Sequence, residues 1–387
     1  MKENEIIIVG AGFAGGIMAR KFAEAGKRVT IIERRNHIGG NMYDYVDDNG
    51  IRLQKYGPHT FHTNIDDVFE FLSKYCTLNE YRLKCEAVVD GVSTPSPFNF
   101  KTIDQFYDVK EAEKLKAKLL NYYQKESATV LEMLNSEDED IKSYAEFLFD
   151  RDYRLYTAKQ WGIKPEEIDP SVLKRVPIVF NYNDTYFYDK YEGIPSEGFT
   201  GLFDNLLNHS NISVILGKDA REHISVDIEN SHVLFDGRQV PIVYTGAIDE
   251  LFGYIYGHLP YRSLHFEYEY YLQKDYQNVA IVAHPAEADF TRITEYTKLP
   301  YQEAGNKTVI AREFPMSYDP DNTSGNEPYY PVLTAASQQI YKTYESYAEQ
   351  FQNLILCGRL ADFKYYNMDM VIKRTLSLYE EIKDKFI

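Results

Sequence analysis

Apolar residues at the start of the chain follow a strand pattern, then a helix pattern, then a strand pattern again. Ile6 to Val9 is an unbroken apolar run that ends at Gly10, which predicts a buried parallel strand. From Ala14 to Ala25 apolar residues recur at helical spacing, and Val29 to Ile32 repeats the strand pattern. This order predicts a β-α-β unit that closes at Glu33.

A helical pattern occupies the next long segment. Between Phe98 and Trp161 the chain has neither glycine nor proline, and residues such as Leu115 and Leu119 recur at helical spacing. The acidic run from Glu137 to Asp140 within it is expected to be a solvated surface. We therefore predict a helical domain inserted into the α/β domain.

Beyond residue 261 apolar and polar residues alternate. The stretches "RSLHFEYEYYLQ", "NVAIVA" and "TVIAREF" predict an antiparallel sheet. A tyrosine-rich helix near 335–350, a strand from Leu354 to Cys357 and a last helix capped by Asn367 return to the α/β pattern. The expected domains are an α/β domain (1–80, 196–258 and 320–387), a helical domain (98–176) and an antiparallel sheet domain (81–97, 177–195 and 259–319).

A glycine motif follows the first predicted strand and leads into the first helix, as Gly10-x-Gly12-x-x-Gly15. Glycines permit a tight turn and let backbone amides approach a pyrophosphate at the helix N-terminus. Glu33 ends the second strand, where its carboxylate can accept hydrogen bonds from ribose hydroxyls. Together these features predict a dinucleotide-binding, Rossmann-like domain.

Two later glycine signals favour FAD over NAD. The loop "RRNHIGGNMY" places Gly39 and Gly40 after the acidic residue, as in flavoproteins of the glutathione-reductase type, where this segment runs towards the flavin. An ordinary turn made by the glycine pair is the alternative. Gly358-Arg359, between a strand and a helix, would bring further backbone amides to the cofactor.

The net charge and the cysteine content limit which binding partners and which cellular compartment are expected. The 387-residue chain has a net charge of −17, which repels phosphates, so we expect no nucleic acid partner, and an anionic ligand would need a locally basic cleft. Three cysteines without metal-binding spacing favour a reducing compartment, the cytoplasm. Glu3 and Glu5 precede the first apolar run, and no run is long enough to cross a bilayer, so neither a signal peptide nor membrane insertion is predicted.

Two histidines lie close together in "LQKYGPHTFHTN", at His59 and His62. They could bind a metal, belong to an ordinary turn, or line a pocket. Zinc would require at least one further ligand, and Asp66 and Asp67 offer no recognisable metal spacing. We predict no metal site.

Five stretches in order, "IIERRNHIGGNMYD", "KYGPHTFHTN", "YTAKQWG", "EPYYPV" and "CGRLADFKYYNMD", resemble the bacterial UDP-galactopyranose mutase family. The resemblance runs from Ile6 to the last helix. It implies the α/β fold class, with an FAD-binding Rossmann-like domain of the glutathione-reductase type, an inserted helical domain and an antiparallel β-sheet domain. This is the division that the residue patterns predict.

The resemblance also implies a reaction. The family's enzymes are intramolecular transferases that interconvert the pyranose and furanose forms of UDP-galactose without net redox change. N5 of reduced FAD attacks the anomeric carbon, displaces UDP and forms a covalent flavin–sugar adduct, and the sugar recloses through O4 instead of O5. Because the cofactor is the nucleophile, no catalytic triad is expected.

The matching motifs also imply the site residues. Arg175 and Arg292 match the arginines that bind the diphosphate, and a mobile loop at 162–175 would bring Arg175 inward. His59 and His62 would lie against the flavin and the sugar, as part of the catalytic set. The implied substrate-binding residues are Tyr153, Tyr156 (stacked on the base), Trp161, Tyr186, Tyr330, Tyr365 and Asn367. The implied cofactor-binding residues are Gly10, Gly12, Phe13, Ala14, Gly15, Glu33, Arg34, Gly40, Asn41, His59, Arg359 and Met368.

Three positions depart from the family pattern. Asn367 stands where aspartate is usual, Pro95 where asparagine is typical, and Asp152 where an aromatic residue is expected. These changes put the sugar in question, so UDP-N-acetylgalactosamine and dTDP-fucose remain alternatives to UDP-galactose. The resemblance further implies an external reductant such as NAD(P)H or a flavin reductase, a homodimer, and a role in making galactofuranose for cell-surface polysaccharide.

Two other function classes remain open from the sequence. A flavin oxidoreductase related to the amine oxidases would share the α/β domain but would need a hydride-donor site, usually in an apolar aromatic cage. A non-catalytic flavin- or nucleotide-binding protein would bind without turnover.

Overall fold

The computed structural model describes residues 4–162, 176–286, 289–322 and 326–386. The helices are α1 (Phe13–Glu24), α2 (Asp66–Leu72), α3 (Phe100–Phe106), α4 (Val109–Tyr123), α5 (Val130–Leu134), α6 (Glu139–Leu148), α7 (Arg154–Trp161), α8 (Gly198–Leu207), α9 (Ile248–Leu251), α10 (Ala335–Ala348) and α11 (Met368–Phe386). The strands are β1 (Glu5–Val9), β2 (Arg28–Glu33), β3 (Asp44–Val46), β4 (Arg52–Gln54), β5 (Phe61–Thr63), β6 (Cys85–Val89), β7 (Val92–Ser96), β8 (Ser127–Ala128), β9 (Ile178–Val179), β10 (Tyr191–Gly193), β11 (Ile212–Leu216), β12 (Ile224–Asp227), β13 (His232–Phe235), β14 (Arg238–Gln239), β15 (Ile242–Tyr244), β16 (Tyr261–Tyr271), β17 (Ile281–Ala283), β18 (Arg292–Glu295), β19 (Thr308–Ser317), β20 (Tyr330–Pro331) and β21 (Leu354–Leu356).

A five-stranded parallel sheet has β1 at its centre, in the order β11-β2-β1-β15-β21. Ile6 and Ile8 pack towards α1, whereas Ile7 packs with Tyr344 on the opposite face. Both faces are covered, which is why this strand is apolar without alternation. The predicted β-α-β unit is confirmed.

A second sheet of seven strands has the order β20-β16-β19-β18-β17-β6-β7. Its longest pair, β16 with β19, is antiparallel, as the alternating pattern predicts. One ladder of this sheet is parallel: β17 pairs with β6, with Ile281 opposite Cys85. These two strands lie far apart in the sequence, so no hairpin forces them to be antiparallel.

Helices α3 to α7 occupy the glycine-free segment, with a core that includes Leu115, Leu119 and Tyr144. Several of these helices begin at a residue whose side chain caps the helix N-terminus. Asp138 accepts hydrogen bonds from the backbone N–H groups of Asp140 and Ile141 at the start of α6. The acidic run is therefore an N-terminal cap as well as a solvated surface, because a carboxylate there satisfies otherwise unpaired N–H groups.

None of the helices in the described residues combines the length and the apolar character needed to cross a membrane.

Candidate active site

The glycine motif forms a turn that leaves no space for side chains. Gly10 has φ +99°, and a Cβ there would lie 2.2 Å from Oγ1 of Thr245. A Cβ on Gly15 would lie 1.9 Å from the Gly10 carbonyl oxygen, and one on Gly40 would lie 3.2 Å from Cα of Gly12. Two backbone segments thus approach each other with only N–H groups and Cα atoms between them, which suits a pyrophosphate.

A cavity of about 1180 Å³, including its open mouth, lies beyond these glycines at the carboxyl ends of β1 and β2. It is bounded on the far side by Tyr329 and by the loop after β21. Of the twelve predicted cofactor residues, Gly15 and His59 are not among those that line it. The predicted residues that do are Gly10, Gly12, Phe13, Ala14, Glu33, Arg34, Gly40, Asn41, Arg359 and Met368.

The end of the cavity near Glu33 is suited to an uncharged ribose. The Glu33 carboxylate accepts hydrogen bonds from the backbone N–H groups of Ala11 at 2.8 Å and Arg35 at 2.9 Å. A carboxylate has about four lone-pair positions, so ribose hydroxyls can still donate to it. Arg34 nearby forms ion pairs with Glu327 at 2.7 Å and Glu250 at 3.6 Å. The residues present fit FAD.

His59 is not among the residues that line the cavity, but it lies close to Arg359, which does line it. Its Nδ1 is 2.8 Å from the carbonyl oxygen of Gly57, so Nδ1 carries the proton, and Gln54 accepts from its backbone N–H. Burial, together with the positive charges of Arg359 and Arg292, lowers the pKa of His59 to about 3. Its imidazole is neutral at ordinary pH, with Nε2 available as an acceptor.

We expect His59 to make the fold sensitive to acid. An unfolded histidine binds a proton below about pH 6.5, whereas folded His59 does so only near pH 3. The unfolded state therefore gains protons first, and the free energy of unfolding should fall by up to about 1.4 kcal/mol per pH unit between these values. Urea unfolding at several pH values should give a shallower dependence for His59→Gln than for the wild type. An unchanged slope in His59→Gln, or an equal change in the exposed control His265→Gln, would contradict this assignment.

Arg292 on β18 is held by a buried carboxylate on the neighbouring strand. Its Nε and Nη2 donate to one Glu313 oxygen at 2.8 and 2.6 Å, and Glu313 is 1% exposed. Burial alone would lower the pKa of Arg292, but the Glu313 carboxylate raises it well above that of a free arginine. The guanidinium is thus a fixed, permanent positive charge.

Two tyrosines lie near this charge. Tyr156 on α7 and Tyr330 on β20 both interact electrostatically with Arg292, and Tyr186 interacts with Tyr156. The Tyr330 ring stacks on Tyr365 at 5.4 Å between centroids, and Arg359 lies 5.4 Å from the Tyr330 centroid. Burial raises the pKa of Tyr156 and brings that of Tyr330 to about 12, so these hydroxyls stay protonated and can donate.

The helix that carries Tyr156 is anchored to the second sheet. Lys159 donates to the carbonyl oxygens of His284 and Phe290, at 2.7 and 3.2 Å. Arg262, which is 8% exposed, donates to the carbonyl oxygen of Gln160 at 3.1 Å. A cation at the C-terminus of a helix is favourable.

The remaining predicted substrate residues either lie outside the described residues or have fewer described contacts. Arg175 and residues 163–175 of the predicted mobile loop lie outside the described residues, as does the side chain of Trp161. Tyr153 is buried and donates to the carbonyl oxygen of Val176 at 2.9 Å. Asn367 directly precedes α11. His62 contacts Asp189, a residue that the sequence reasoning missed.

Asp152 was recognised only as a missing aromatic residue. It lies four residues before Tyr156, near the end of the helical turn (Phe149–Tyr153) that leads into α7, and residues at this spacing share a helix face. Burial raises the pKa of Asp152 to about 7. Glu313 was also missed, although the alternation in "TVIAREF" places it on one face of its strand.

Within the ranges that the structure describes, no group of three or more His, Cys, Asp or Glu side chains is arranged to hold a metal ion.

Comparison with known proteins agrees with this geometry. Residues 152–365 match the family model described as UDP-galactopyranose mutase, and residues 8–75 match that of an NAD(P)-binding Rossmann-like domain. The chain is 38% identical to dTDP-fucopyranose mutase of Escherichia coli, over 96% of this chain and 97% of the relative. It is 32% identical to UDP-galactopyranose mutase of Mycoplasma pneumoniae, over 98% and 96%. The crystal structure of a reduced UDP-galactopyranose mutase superposes with a TM-score of 0.68 at 16% identity, covering 98% of this chain and 96% of that one. The resemblance found in the motifs is confirmed, and the chain belongs to the UDP-galactopyranose mutase family.

Proposed function

We propose that this enzyme interconverts the pyranose and furanose forms of a hexose linked to a pyrimidine nucleoside diphosphate, with UDP-galactose as the leading substrate. The observation that carries the proposal is the cluster of Arg292 with Tyr156, Tyr186, Tyr330 and Tyr365, next to the Arg359 end of the cavity. A fixed guanidinium with tyrosine hydroxyls near it is suited to bind an anion in an otherwise acidic protein.

The cluster suits a diphosphate leaving group. When the anomeric C–O bond breaks, negative charge develops on the departing diphosphate, and donors already fixed in place stabilise it without reorganisation. The ion pair with Glu313 holds the Arg292 guanidinium in one orientation. Because burial raises the pKa of Tyr156 and of Tyr330, these two hydroxyls stay protonated and can donate to the phosphate oxygens.

The cofactor in this proposal is reduced FAD, bound by the glycine turn, Glu33 and Arg359. When bound, it would supply a nucleophile, N5, for the anomeric carbon, while residues of this chain hold the nucleotide. Arg359 places positive charge at the flavin end of the cavity, where it favours an anionic reduced ring. Neutral His59 adds no second positive charge there and offers Nε2 as an acceptor.

A second candidate substrate, dTDP-fucose, is favoured by the 38% identity with the E. coli dTDP-fucopyranose mutase. Asn367, where an aspartate is usual in the family, supports a changed set of sugar contacts. UDP-N-acetylgalactosamine is the third candidate.

The substrate is tested by incubating dithionite-reduced enzyme separately with UDP-galactose, UDP-N-acetylgalactosamine and dTDP-fucose, and resolving the ring isomers by chromatography. We expect a furanose isomer from UDP-galactose, and comparable conversion of dTDP-fucose if the Asn367 change relaxes recognition at the sugar. Binding of all three without any isomer would favour a non-catalytic nucleotide-binding protein.

An amine-oxidase-like oxidoreductase is disfavoured by the same cluster, because such a site would place an apolar aromatic cage where Arg292 and Glu313 lie. Oxygen consumption coupled to substrate oxidation would identify it, whereas a mutase consumes no oxygen.

The family resemblance also supports the remaining parts of the proposal. We infer that NAD(P)H or a flavin reductase supplies the electrons in the cytoplasm, that the enzyme acts as a homodimer, and that its product serves cell-surface polysaccharide synthesis.

A further inference from the structure

The His62 imidazole is held by the same segment that carries Tyr186. Its Nδ1 lies 2.5 Å from a carboxylate oxygen of Asp189, and its ring stacks on Phe187 with centroids 3.6 Å apart and planes inclined by 14°. The side-chain amide of Asn64 donates to the other Asp189 oxygen. The side chains of His62 and Asp189 are only 14% and 22% exposed, so the ring is fixed both in place and in plane.

The contact with Asp189 determines which ring nitrogen carries a proton. An aspartate carboxylate only accepts hydrogen bonds, so Nδ1 of His62 must donate. In the neutral ring, Nε2 is then left with its lone pair free to accept. An orienting carboxylate of this kind sets the tautomer of a histidine in other enzymes as well.

The pair of residues is connected to the site described above. Phe187 packs edge-on against Tyr186, with centroids 4.8 Å apart and planes at 89°. Thr63, next to His62 on β5, donates to Asp369 at the start of α11, close to Asn367. His62 therefore lies one ring away from Tyr186, through Phe187.

We propose that Asp189 is a positioning residue that keeps His62 in the Nδ1-protonated tautomer, which leaves Nε2 as a hydrogen-bond acceptor beside the segment that carries Tyr186. The consequence for turnover rests on the proposed function, whereas the tautomer is a property of the chain itself. The tautomer of His62 and the turnover of the enzyme are therefore measured separately.

The tautomer is tested by ¹⁵N–¹H correlation spectra of the histidine side chains in the oxidised holoenzyme, with His62→Gln used to assign the signal. We expect Nδ1–H in the wild type, a shift towards Nε2–H in Asp189→Ala, and retention of Nδ1–H in Asp189→Asn, which keeps one acceptor oxygen. Nε2–H in the wild type, or an unchanged tautomer in Asp189→Ala, would overturn the proposal.

Turnover by the reduced enzyme provides the second readout. In Asp189→Ala we expect kcat to fall about tenfold or more, with KM changed less than about twofold, and Asp189→Asn to recover part of the loss. The matched control is Asp66→Ala, which removes the contacts of Asp66 with Lys190 at 2.6 Å and Tyr191 at 3.0 Å in the same segment. An equal fall in kcat in Asp66→Ala would show that the loss comes from general loosening of this segment, and it would overturn the positioning role of Asp189. Lack of turnover by the wild type with every nucleotide sugar would instead contradict the proposed function, and the spectra alone would then decide this inference.

Discussion

Replacing Arg292 with alanine is expected to lower kcat/KM of the reduced enzyme by about a hundredfold or more. The change removes a fixed positive charge that interacts with Tyr156 and Tyr330 and that we propose binds the departing diphosphate. Arg292→Lys should recover only part of the activity, because an ammonium group cannot reproduce the two hydrogen bonds that hold the guanidinium on Glu313. Steady-state kinetics with each nucleotide sugar measures the loss.

Loss of Arg292 also leaves Glu313 buried without its partner, which could unfold the protein. The double variant Arg292→Met/Glu313→Gln removes both charges, so it should be close to wild type in thermal stability and still inactive. Arg312→Ala is the matched control, since Arg312 lies on the same strand pair and contacts Glu269. Near-normal turnover by the double variant would show that Arg292 does not hold the leaving group.

Gly15→Ala is expected to produce a protein that binds FAD about a hundredfold more weakly or not at all. The added Cβ would lie 1.9 Å from the Gly10 carbonyl oxygen and 3.2 Å from Ile8, so α1 must move away from β1. That movement displaces the N–H groups at the start of the helix from the pyrophosphate. Visible flavin absorbance per mole of purified protein measures the effect.

Gly16→Ala provides a control one residue away. The new methyl group would contact side-chain atoms of Leu206, Phe203 and Leu207, between 3.1 and 3.7 Å, and no backbone outside its own helix at those distances. We expect this variant to be yellow and active. Equal flavin content in the two variants would mean that the close approach at Gly15 is not needed for cofactor binding.

Local patterns predicted the cofactor half of this molecule well, because its determinants are close together in the sequence. The run from Ile6 to Val9, the glycine triplet and Glu33 fall within one β-α-β unit, where strand, turn and helix follow each other directly. The cofactor residues that the family resemblance implies line the observed cavity, apart from Gly15 and His59. Gly15 acts by packing under Gly10 instead.

The sequence patterns could not predict which distant strands and segments pair with each other. The contact of Arg292 with Glu313 depends on the register of β18 against β19, and that of His62 with Asp189 joins segments that are far apart in the chain. The parallel ladder between β17 and β6 is of the same kind. Residue spacing carries no information on such partners, because tertiary packing selects them.

We expect reduced flavin, bound at the Arg359 end of the cavity, to be required for the change of ring oxygen in the sugar while Arg292 holds the nucleotide. The most direct test compares the same holoenzyme, oxidised and dithionite-reduced, under anaerobic conditions with UDP-galactose and dTDP-fucose, with ring isomers counted per flavin. We predict many turnovers in the reduced enzyme and none above background in the oxidised enzyme. Equal isomerisation by the oxidised enzyme, or by protein freed of flavin, would contradict the account.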